Sequence, residues 1–303
     1  MKMIIVSAFV LSICVFVANA QTCADSAKEV APVMSAETSK TYKDKLANAL
    51  SVWLRDSKNA DAIIWLGRRT AYLGAYKAAI NIFTDGAEKF PKDARMYRHR
   101  GHRYITLRCF DDAIRDFETA AKLVKGKPDE IEPDGLPNAQ NIPTSTLQSN
   151  IWYHLGLAFY LKGDFKKAEK AYGECVKVSK NGDMLAATTH WHYMTLRRLE
   201  KNPQAARLLE AIDGDFEVIE NDDYLKLLRL YRGEVRAEML LADVGAKADS
   251  LGNASLGYGI GNWYLYNRDR LRAEQIFRRI TAGNQWSSFG YIAAEAELAR
   301  AKN

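Results

Sequence analysis

Bulky, small and polar residues recur along the chain in a fixed order. The order is clearest in residues 152–180, which read WYHLGLAFYLKGDFKKAEKAYGECVKVSK, and it returns in residues 63–91 and 97–125. The glycines at positions 67 and 101 are 34 residues apart. Self-similarity at a fixed period of this length is typical of a repeat architecture, so we interpret the chain as an array of similar units.

Each copy predicts two amphipathic helices joined by a tight turn. Counted from the glycine, a bulky residue lies four positions before it and another side chain lies three after it. An alanine follows later, with an aromatic residue four positions beyond. These intervals place the apolar side chains on one face of each helix. The residues concerned are Ile63, Thr70, Ala79 and Phe83; Tyr97, Tyr104, Ala113 and Phe117; and Trp152, Phe159, Ala168 and Tyr172. The glycines and alanines are small because the two helices approach closely there.

This pattern resembles the tetratricopeptide repeat. One copy carries the resemblance on Trp152, Leu155, Gly156, Phe159, Gly163, Phe165, Ala168 and Tyr172, and another on Leu66, Gly67, Gly74, Tyr76, Ala79, Phe83 and Pro91. Weaker copies follow on Met194 and Ala206, on Leu225, Ala237 and Leu241, and on Gly261, Tyr264, Ala273 and Phe277. The resemblance implies an all-α, right-handed superhelical solenoid of stacked antiparallel helix pairs, and it implies protein binding in general.

The first 20 residues predict a secretory signal peptide. One charge at Lys2 precedes an apolar run over residues 4–17, and residues 18–20 (Ala-Asn-Ala) supply the small side chains of a cleavage site. We expect cleavage after Ala20 and export to a periplasm or out of the cell. An uncleaved anchor is the alternative. No second apolar run of spanning length follows, so we expect no membrane span after cleavage.

The repeat period divides the rest of the chain. We predict an N-terminal tail and capping helix, two repeats, a proline-rich acidic loop that interrupts the period, four more repeats that degenerate after the first of them, and a C-terminal capping helix. These segments are residues 21–59, 60–126, 127–147, 148–287 and 288–303. Terminal caps are expected because the last apolar face of a solenoid must be covered.

Charge and cysteine content narrow the function only a little. Without Lys2 the chain has 42 basic and 37 acidic residues, a mild excess, and export makes nucleic acid an improbable partner. Cys23, Cys109 and Cys175 survive cleavage, so one pair could bridge but not all three. No Cys-x-x-Cys motif suggests zinc, no cofactor is implied, and no catalytic signature occurs.

Two histidines flank a tryptophan at residues 190–192. Because residues two apart point in nearly opposite directions on a helix, His190 and His192 cannot ligate one metal. We expect His190 to be a packed, hydrogen-bonded core histidine. We place His192 on the free face of its helix, two residues before the glycine position, where His99 and His154 also lie. The three would form a row along the concave surface of the array.

The same face predicts a basic, aromatic groove. Its candidate residues are Arg68, Tyr72, Arg95, Arg98, His99, His102, Tyr153, His154, Tyr160, Trp191, His192 and Arg198. Arginine binds carboxylate through a planar fork, and Tyr and Trp supply rigid contact area, so a partner with acidic groups is expected. Some tetratricopeptide domains hold a peptide carboxylate at these positions. Arg98, His102 and His154 occupy three of those places, although the residue types differ.

Three alternatives stay open at this point. The polar face could be an ordinary solvated surface. His99 and His102 could bind a metal, which Arg95 and Arg98 on the same face disfavour by repulsion. The groove histidines could serve an enzyme or enzyme subunit, hydrolytic or metal-dependent, rather than an interaction scaffold. The acidic loop, with Glu130, Glu132 and Asp134, could in addition fold back over the groove until a partner competes.

Overall fold

The computed structural model describes residues 22–212, 216–246 and 251–302, and the predicted signal peptide lies outside them. These residues form fifteen α-helices and no β-sheet, as the repeat pattern predicted. The helices are α1 (Cys23–Ser26), α2 (Ala36–Arg55), α3 (Ala60–Tyr72), α4 (Tyr76–Lys89), α5 (Ala94–Thr106), α6 (Phe110–Val124), α7 (Leu147–Lys162), α8 (Phe165–Val178), α9 (Gly182–Arg198), α10 (Asn202–Leu209), α11 (Asp222–Tyr231), α12 (Ala237–Ala246), α13 (Leu251–Tyr266), α14 (Arg270–Thr281) and α15 (Phe289–Arg300). None of them combines the length and the apolar character that crossing a bilayer requires.

Five consecutive pairs of helices pack as antiparallel hairpins: α3–α4, α5–α6, α7–α8, α9–α10 and α13–α14. Between the last two of these pairs, α11 packs on α9 and α13, and α12 packs on α13. Within a hairpin the repeat glycine faces the aromatic ring of the second helix. A Cβ atom on Gly67 would lie 2.5 Å from the Phe83 ring, and one on Gly156 would lie 2.7 Å from the Tyr172 ring. Gly261 meets Phe277 in the same way in the last hairpin, at 2.6 Å. The prediction that these glycines permit close helix approach is confirmed.

The turn inside each hairpin contains one residue with left-handed backbone geometry. It lies seven positions after the repeat glycine at Gly74, Arg108, Gly163 and Arg268. In the fourth unit this residue is Glu200, which makes Tyr193 the counterpart of the glycine. Ala205 is fully buried and Ala206 is exposed. The alignment on Met194 and Ala206 was therefore wrong by one residue, because neither a glycine nor an aromatic partner marks this unit.

A disulfide ties the N-terminal segment to the array. Cys23 in α1 is bonded to Cys109, which precedes α6, so one pair of cysteines does bridge. Cys175 is a free, buried thiol in α8. Lys77 reinforces the attachment, since its backbone N–H donates to Glu29 at 2.7 Å and its ammonium donates to the Asp25 carbonyl at 2.9 Å. The tail therefore lies along the first hairpin.

The C-terminal helix does more than cap the last hairpin. Helix α15 packs on α13 and α14 and also reaches the inner face of the array at α7 and α9. Arg300 donates to the Leu161 carbonyl at 2.8 Å, and Arg198 is paired with Glu297 at 2.6 Å. Arg108, in the turn before α6, is paired with Glu295 at 2.6 Å. The far end of the chain thus closes onto the first half of the array.

The acidic loop between α6 and α7 folds back onto the inner face of α3 and α5, as hypothesised. Arg68 donates to the Pro133 carbonyl at 2.8 Å, and Arg69 donates to the Gly135 carbonyl at 2.8 Å. Glu132, which is only 8% exposed, lies with Oε2 2.9 Å from Nε of Arg98. The loop is thus a packed part of the molecule.

Candidate functional site

The twelve candidate groove residues lie in several different environments. Three of them contact the acidic loop: Arg68, Arg98 and His99. Tyr72 and His102 line a cavity. Five others lie in the interior beside α13 or α15: Tyr153, His154, Tyr160, Trp191 and Arg198. Arg95 is paired with Asp93 and Asp61, each at 2.6 Å, and His192 faces α8. The structure therefore divides the predicted continuous groove.

Helices α13 and α15 fill the middle of the predicted groove. Phe289 packs against the rings of His102 and His154, with centroid distances of 5.3 and 5.5 Å. Tyr160 accepts a hydrogen bond from Tyr258 at 2.8 Å, and both rings are completely buried. The expectation of an open concave surface at these positions is wrong, because the chain's own C-terminal segment occupies that space.

The predicted histidine row holds for two of its three members. His99 stacks on Phe83 and His154 stacks on Phe117, with ring centroids 5.5 and 5.6 Å apart, so each packs on the aromatic residue of the preceding unit. Because the fourth unit is shifted by one residue, Trp191 takes the equivalent place. His192 instead lies with its ring 6.2 Å from that of Tyr172 in α8.

His190 is the buried core histidine that the sequence predicted. It is completely buried, its ring stacks on Tyr224 and Tyr231, and Tyr231 provides a hydroxyl 3.0 Å from Nδ1. Burial lowers the pKa of His190 to about 3, so the ring is neutral at physiological pH. His192 packs on a different helix, which rules out a shared metal for the pair.

The carboxylate of Glu132 lies close to both Arg98 and His99 at the start of the predicted groove. Nη1 of Arg98 lies 3.1 Å from Nδ1 of His99, and because arginine can only donate, Nδ1 is the acceptor and the proton of the neutral ring lies on Nε2. That nitrogen is 3.9 Å from Glu132 Oε1. Burial, followed by the nearby Arg98 and Arg68, lowers the pKa of His99 well below its ordinary value.

A cavity of about 570 Å³ remains open at one end of the inner face. It lies between the segment before α2, helices α3 and α5, the start of α11, and the residues leading into α15. Aromatic side chains, one histidine and one arginine form much of its wall: Tyr42, Tyr72, Tyr76, Phe289, His102 and Arg103. Glu220 and Asp223 line it as well.

Arg103 is the functional candidate that sequence reasoning missed. It lies two residues after Gly101, a position assigned to neither face of the helix. Among the described residues, no hydrogen-bond acceptor or carboxylate is paired with its guanidinium, which lies 5.8 Å from the centre of the Tyr76 ring. Burial lowers the pKa of Arg103 to about 10. The sequence signal that could have identified Arg103 is the composition of helix α5, which carries four arginines and two histidines but no acidic residue.

A smaller cavity of about 100 Å³ adjoins the large one. The two cavities share Ala71, Tyr72, His102 and Arg103, and the smaller one is also lined by Arg68, Phe83, Arg98 and His99. Its wall therefore brings together three guanidinium groups from α3 and α5.

The arrangement of potential metal ligands around this site does not favour a metal ion. Within the described ranges, the one group of three potential ligands close enough to share an ion is Cys23, Cys109 and Asp112, and its two sulfur atoms are joined in the disulfide. His99 and His102, the pair weighed from the sequence, lie among arginines that lower the pKa of both rings after burial. A cation would meet the same repulsion.

Comparison with known proteins identifies the repeat. Residues 149–181 match the family model of the tetratricopeptide repeat. A 142-residue stretch, 47% of this chain, is 29% identical to the bovine BBSome complex member BBS4 and covers 23% of that protein. This chain therefore matches less than a quarter of the relative's length.

Solved structures with a similar arrangement of helices have low sequence identity to this chain. YrrB, described as a tetratricopeptide repeat protein with an unusual peptide-binding site, is 14% identical with a TM-score of 0.43, over 82% of this chain and 97% of that one. A tetratricopeptide repeat protein from Parabacteroides merdae is 14% identical with a TM-score of 0.47, over 86% and 96%. One unit of this chain thus matches the tetratricopeptide repeat, and the units beside it are built with the same hairpin and glycine–aromatic contact.

Proposed function

We propose that this protein is an exported interaction scaffold that binds a partner protein in the large cavity, through an acidic group placed on Arg103. The tetratricopeptide fold supports a protein-interaction scaffold in general. The observation that favours this cavity is the guanidinium of Arg103, which lines an accessible, aromatic-walled space and has no carboxylate partner among the described residues.

The electrostatics of Arg103 favour an anionic ligand. The nearby Arg98 and Arg68 lower its pKa in addition to burial, while Tyr72 and Tyr76 oppose the shift. At a pKa of about 10 the group is still charged at neutral pH, and a partly buried charge without a counter-ion costs free energy. An anionic group of the partner would supply two parallel charge-assisted hydrogen bonds and offset that cost.

The remaining walls suggest how the partner is oriented. Tyr42, Tyr72 and Phe289 offer rigid aromatic contact at low entropic cost. Glu220, just before α11, places a carboxylate on the opposite wall and repels a second acidic group. We therefore expect a partner segment with its acidic group at the α5 wall and neutral or basic residues at the α11 wall.

Export is part of the proposal and rests on two features. The first 20 residues have the charge, apolar run and small-residue end of a secretory signal. The disulfide between Cys23 and Cys109 suits an oxidising compartment such as the periplasm or the extracellular space, where such bonds persist.

The enzymatic alternative has no comparable support. Two of the groove histidines on which that alternative relies, His99 and His154, are only 5% and 4% exposed. Burial lowers the pKa of both rings well below the ordinary value, and the ring of His154 is enclosed by Tyr153 and Phe289. Substrate access to either imidazole would require the interior to open.

Capture by matched variants tests the proposal. Tagged wild-type protein, Arg103→Glu and Arg272→Glu would each be used to recover binding proteins from the native envelope or medium. Arg272 is a suitable control because it is an exposed arginine on α14, away from the cavity. We expect a partner retained by the wild type and by Arg272→Glu and lost with Arg103→Glu. Equal recovery by all three proteins would reject the cavity as the partner site.

A further inference from the structure

The smaller cavity has a surplus of positive charge. Its lining contains Arg68, Arg98 and Arg103, and the one carboxylate paired with any of them within the described residues is Glu132, on Arg98. His99 and His102 add no charge, because burial keeps both rings neutral. The local sum of three positive charges and one negative charge is therefore +2.

Neighbouring charges do not cancel this surplus. Arg95, the next arginine on α5, is already paired with Asp93 and Asp61 and does not line the cavity. Asp134 also lies outside the lining. Burial and the nearby Glu220 raise its pKa, while Arg68 opposes that shift. Among the described residues, no carboxylate other than Glu132 is paired with any of the three arginines, so a bound anion would complete the charge balance.

The three guanidinium groups also have unused hydrogen-bond donors. Each carries five N–H groups. Arg68 donates one to the Pro133 carbonyl, and Arg98 has close contacts with His99 Nδ1 and Glu132 Oε2. The contact with Glu132 has an ion-pair distance, but Nε of Arg98 does not point along a hydrogen bond and is buried without a hydrogen-bond acceptor. Donors on Arg103 are unpaired among the described residues.

Together these features describe a site for an oxyanion. We propose that the smaller cavity binds a doubly charged tetrahedral oxyanion, a phosphate or sulfate group, held between Arg68, Arg98 and Arg103. The volume of about 100 Å³ suits a group of this size, and two negative charges match the local sum. Arginine forks bind such oxygens in bidentate fashion.

The group enters through the large cavity, since the two spaces share the Arg103 and Tyr72 walls. It is either a free ion or the charged end of a larger ligand whose body occupies the large cavity. This inference deepens the proposed function by naming the chemistry of the acidic group, and it rests on that function only for the route of entry.

Calorimetry with sulfate and inorganic phosphate, at constant ionic strength maintained with chloride, tests the proposal directly on the mature chain. We expect saturable binding of one anion per chain. Losing the Arg103 contacts in Arg103→Gln should weaken binding at least about tenfold. Arg272→Gln should bind like the wild type, and Glu132→Gln, which removes the competing negative charge, should bind more tightly.

Phenyl phosphate distinguishes the two sources of the group. Tighter binding than inorganic phosphate indicates a group carried on a larger ligand that contacts Tyr72 and Tyr76. Weaker binding indicates a free ion. Absence of saturable heat beyond the chloride blank, or equal affinity for Arg103→Gln and wild type when both melt at the same temperature, would overturn the oxyanion site. Such a result would leave partner capture, measured separately, unaffected.

Discussion

All five histidines are held in surroundings that favour the neutral ring, so we predict that mild acid destabilises the fold. Burial is the largest cause in each case, and it lowers the pKa of His190 to about 3 and that of His192 to about 4. The pKa values of His99, His102 and His154 are also well below the ordinary value of 6.5.

The sign of the effect follows from linkage. A base whose pKa is lower in the folded state binds its proton preferentially in the unfolded chain, so stability is present above about pH 6.5 and is lost as the pH falls. Between pH 7.5 and 5.5 one such histidine lowers the free energy of unfolding by about 1.4 kcal/mol. If all five histidines respond in this way, the free energy of unfolding falls by about 7 kcal/mol, and if three of them do, it falls by about 4 kcal/mol. The total free energy of unfolding of a typical protein is about 5–15 kcal/mol.

Urea unfolding followed by circular dichroism at pH 7.5, 6.5 and 5.5 measures this loss. Carboxylates contribute little over the interval because their ordinary pKa values lie near 4. The variant His190→Phe keeps an aromatic ring between Tyr224 and Tyr231 and should reduce the pH dependence by about one histidine. A total loss below about 1.4 kcal/mol, the share of a single histidine, would refute the reasoning.

Three further predictions concern packing, the disulfide and the loop. Gly156→Ala should destabilise by about 1–3 kcal/mol in urea unfolding, because its Cβ meets the Tyr172 ring, while Gly173→Ala on α8 meets nothing and should stabilise by about 0.5–1 kcal/mol; the reverse order would contradict the hairpin packing. Reducing the Cys23–Cys109 bond, which spans 86 residues, should lower the free energy of unfolding by about 2–4 kcal/mol; alkylation of both cysteines without reductant would show that the bond is absent. A double-mutant cycle with Arg98→Gln and Glu132→Gln should give a coupling of at least about 1 kcal/mol, and additive effects would mean that Glu132 does not anchor the loop.

The sequence was sufficient to predict the helix pairs because their signals are local. The spacing of Gly156, Ala168 and Tyr172 reflects contacts inside one hairpin, and the same spacing recurs wherever the hairpin does. The register failed in the fourth unit. There Tyr193 stands where a glycine was expected, and the turn residue Glu200 has no glycine to reveal its left-handed geometry.

The occupants of the concave face could not be predicted in the same way. A helical wheel identifies the inward side of Tyr160 or His154, but the contact with α15 joins residues more than 130 positions apart. Arg103 was missed because it lies between the two faces of its helix. Pairing of Cys23 with Cys109 likewise depends on where the N-terminal tail returns, which periodicity does not record.

The central claim is that the chain's own segments fill most of the concave face and leave the cavity at Arg103 for a partner. Site-specific photo-crosslinking in the native host measures this directly, with a photoreactive phenylalanine analogue at Tyr42 in the cavity wall or at the exposed Leu271 on α14. We predict a discrete crosslinked partner from position 42 that disappears when Arg103→Glu is added, and none from position 271. The same adducts from both positions, or adducts from position 42 that persist with Arg103→Glu, would contradict the account.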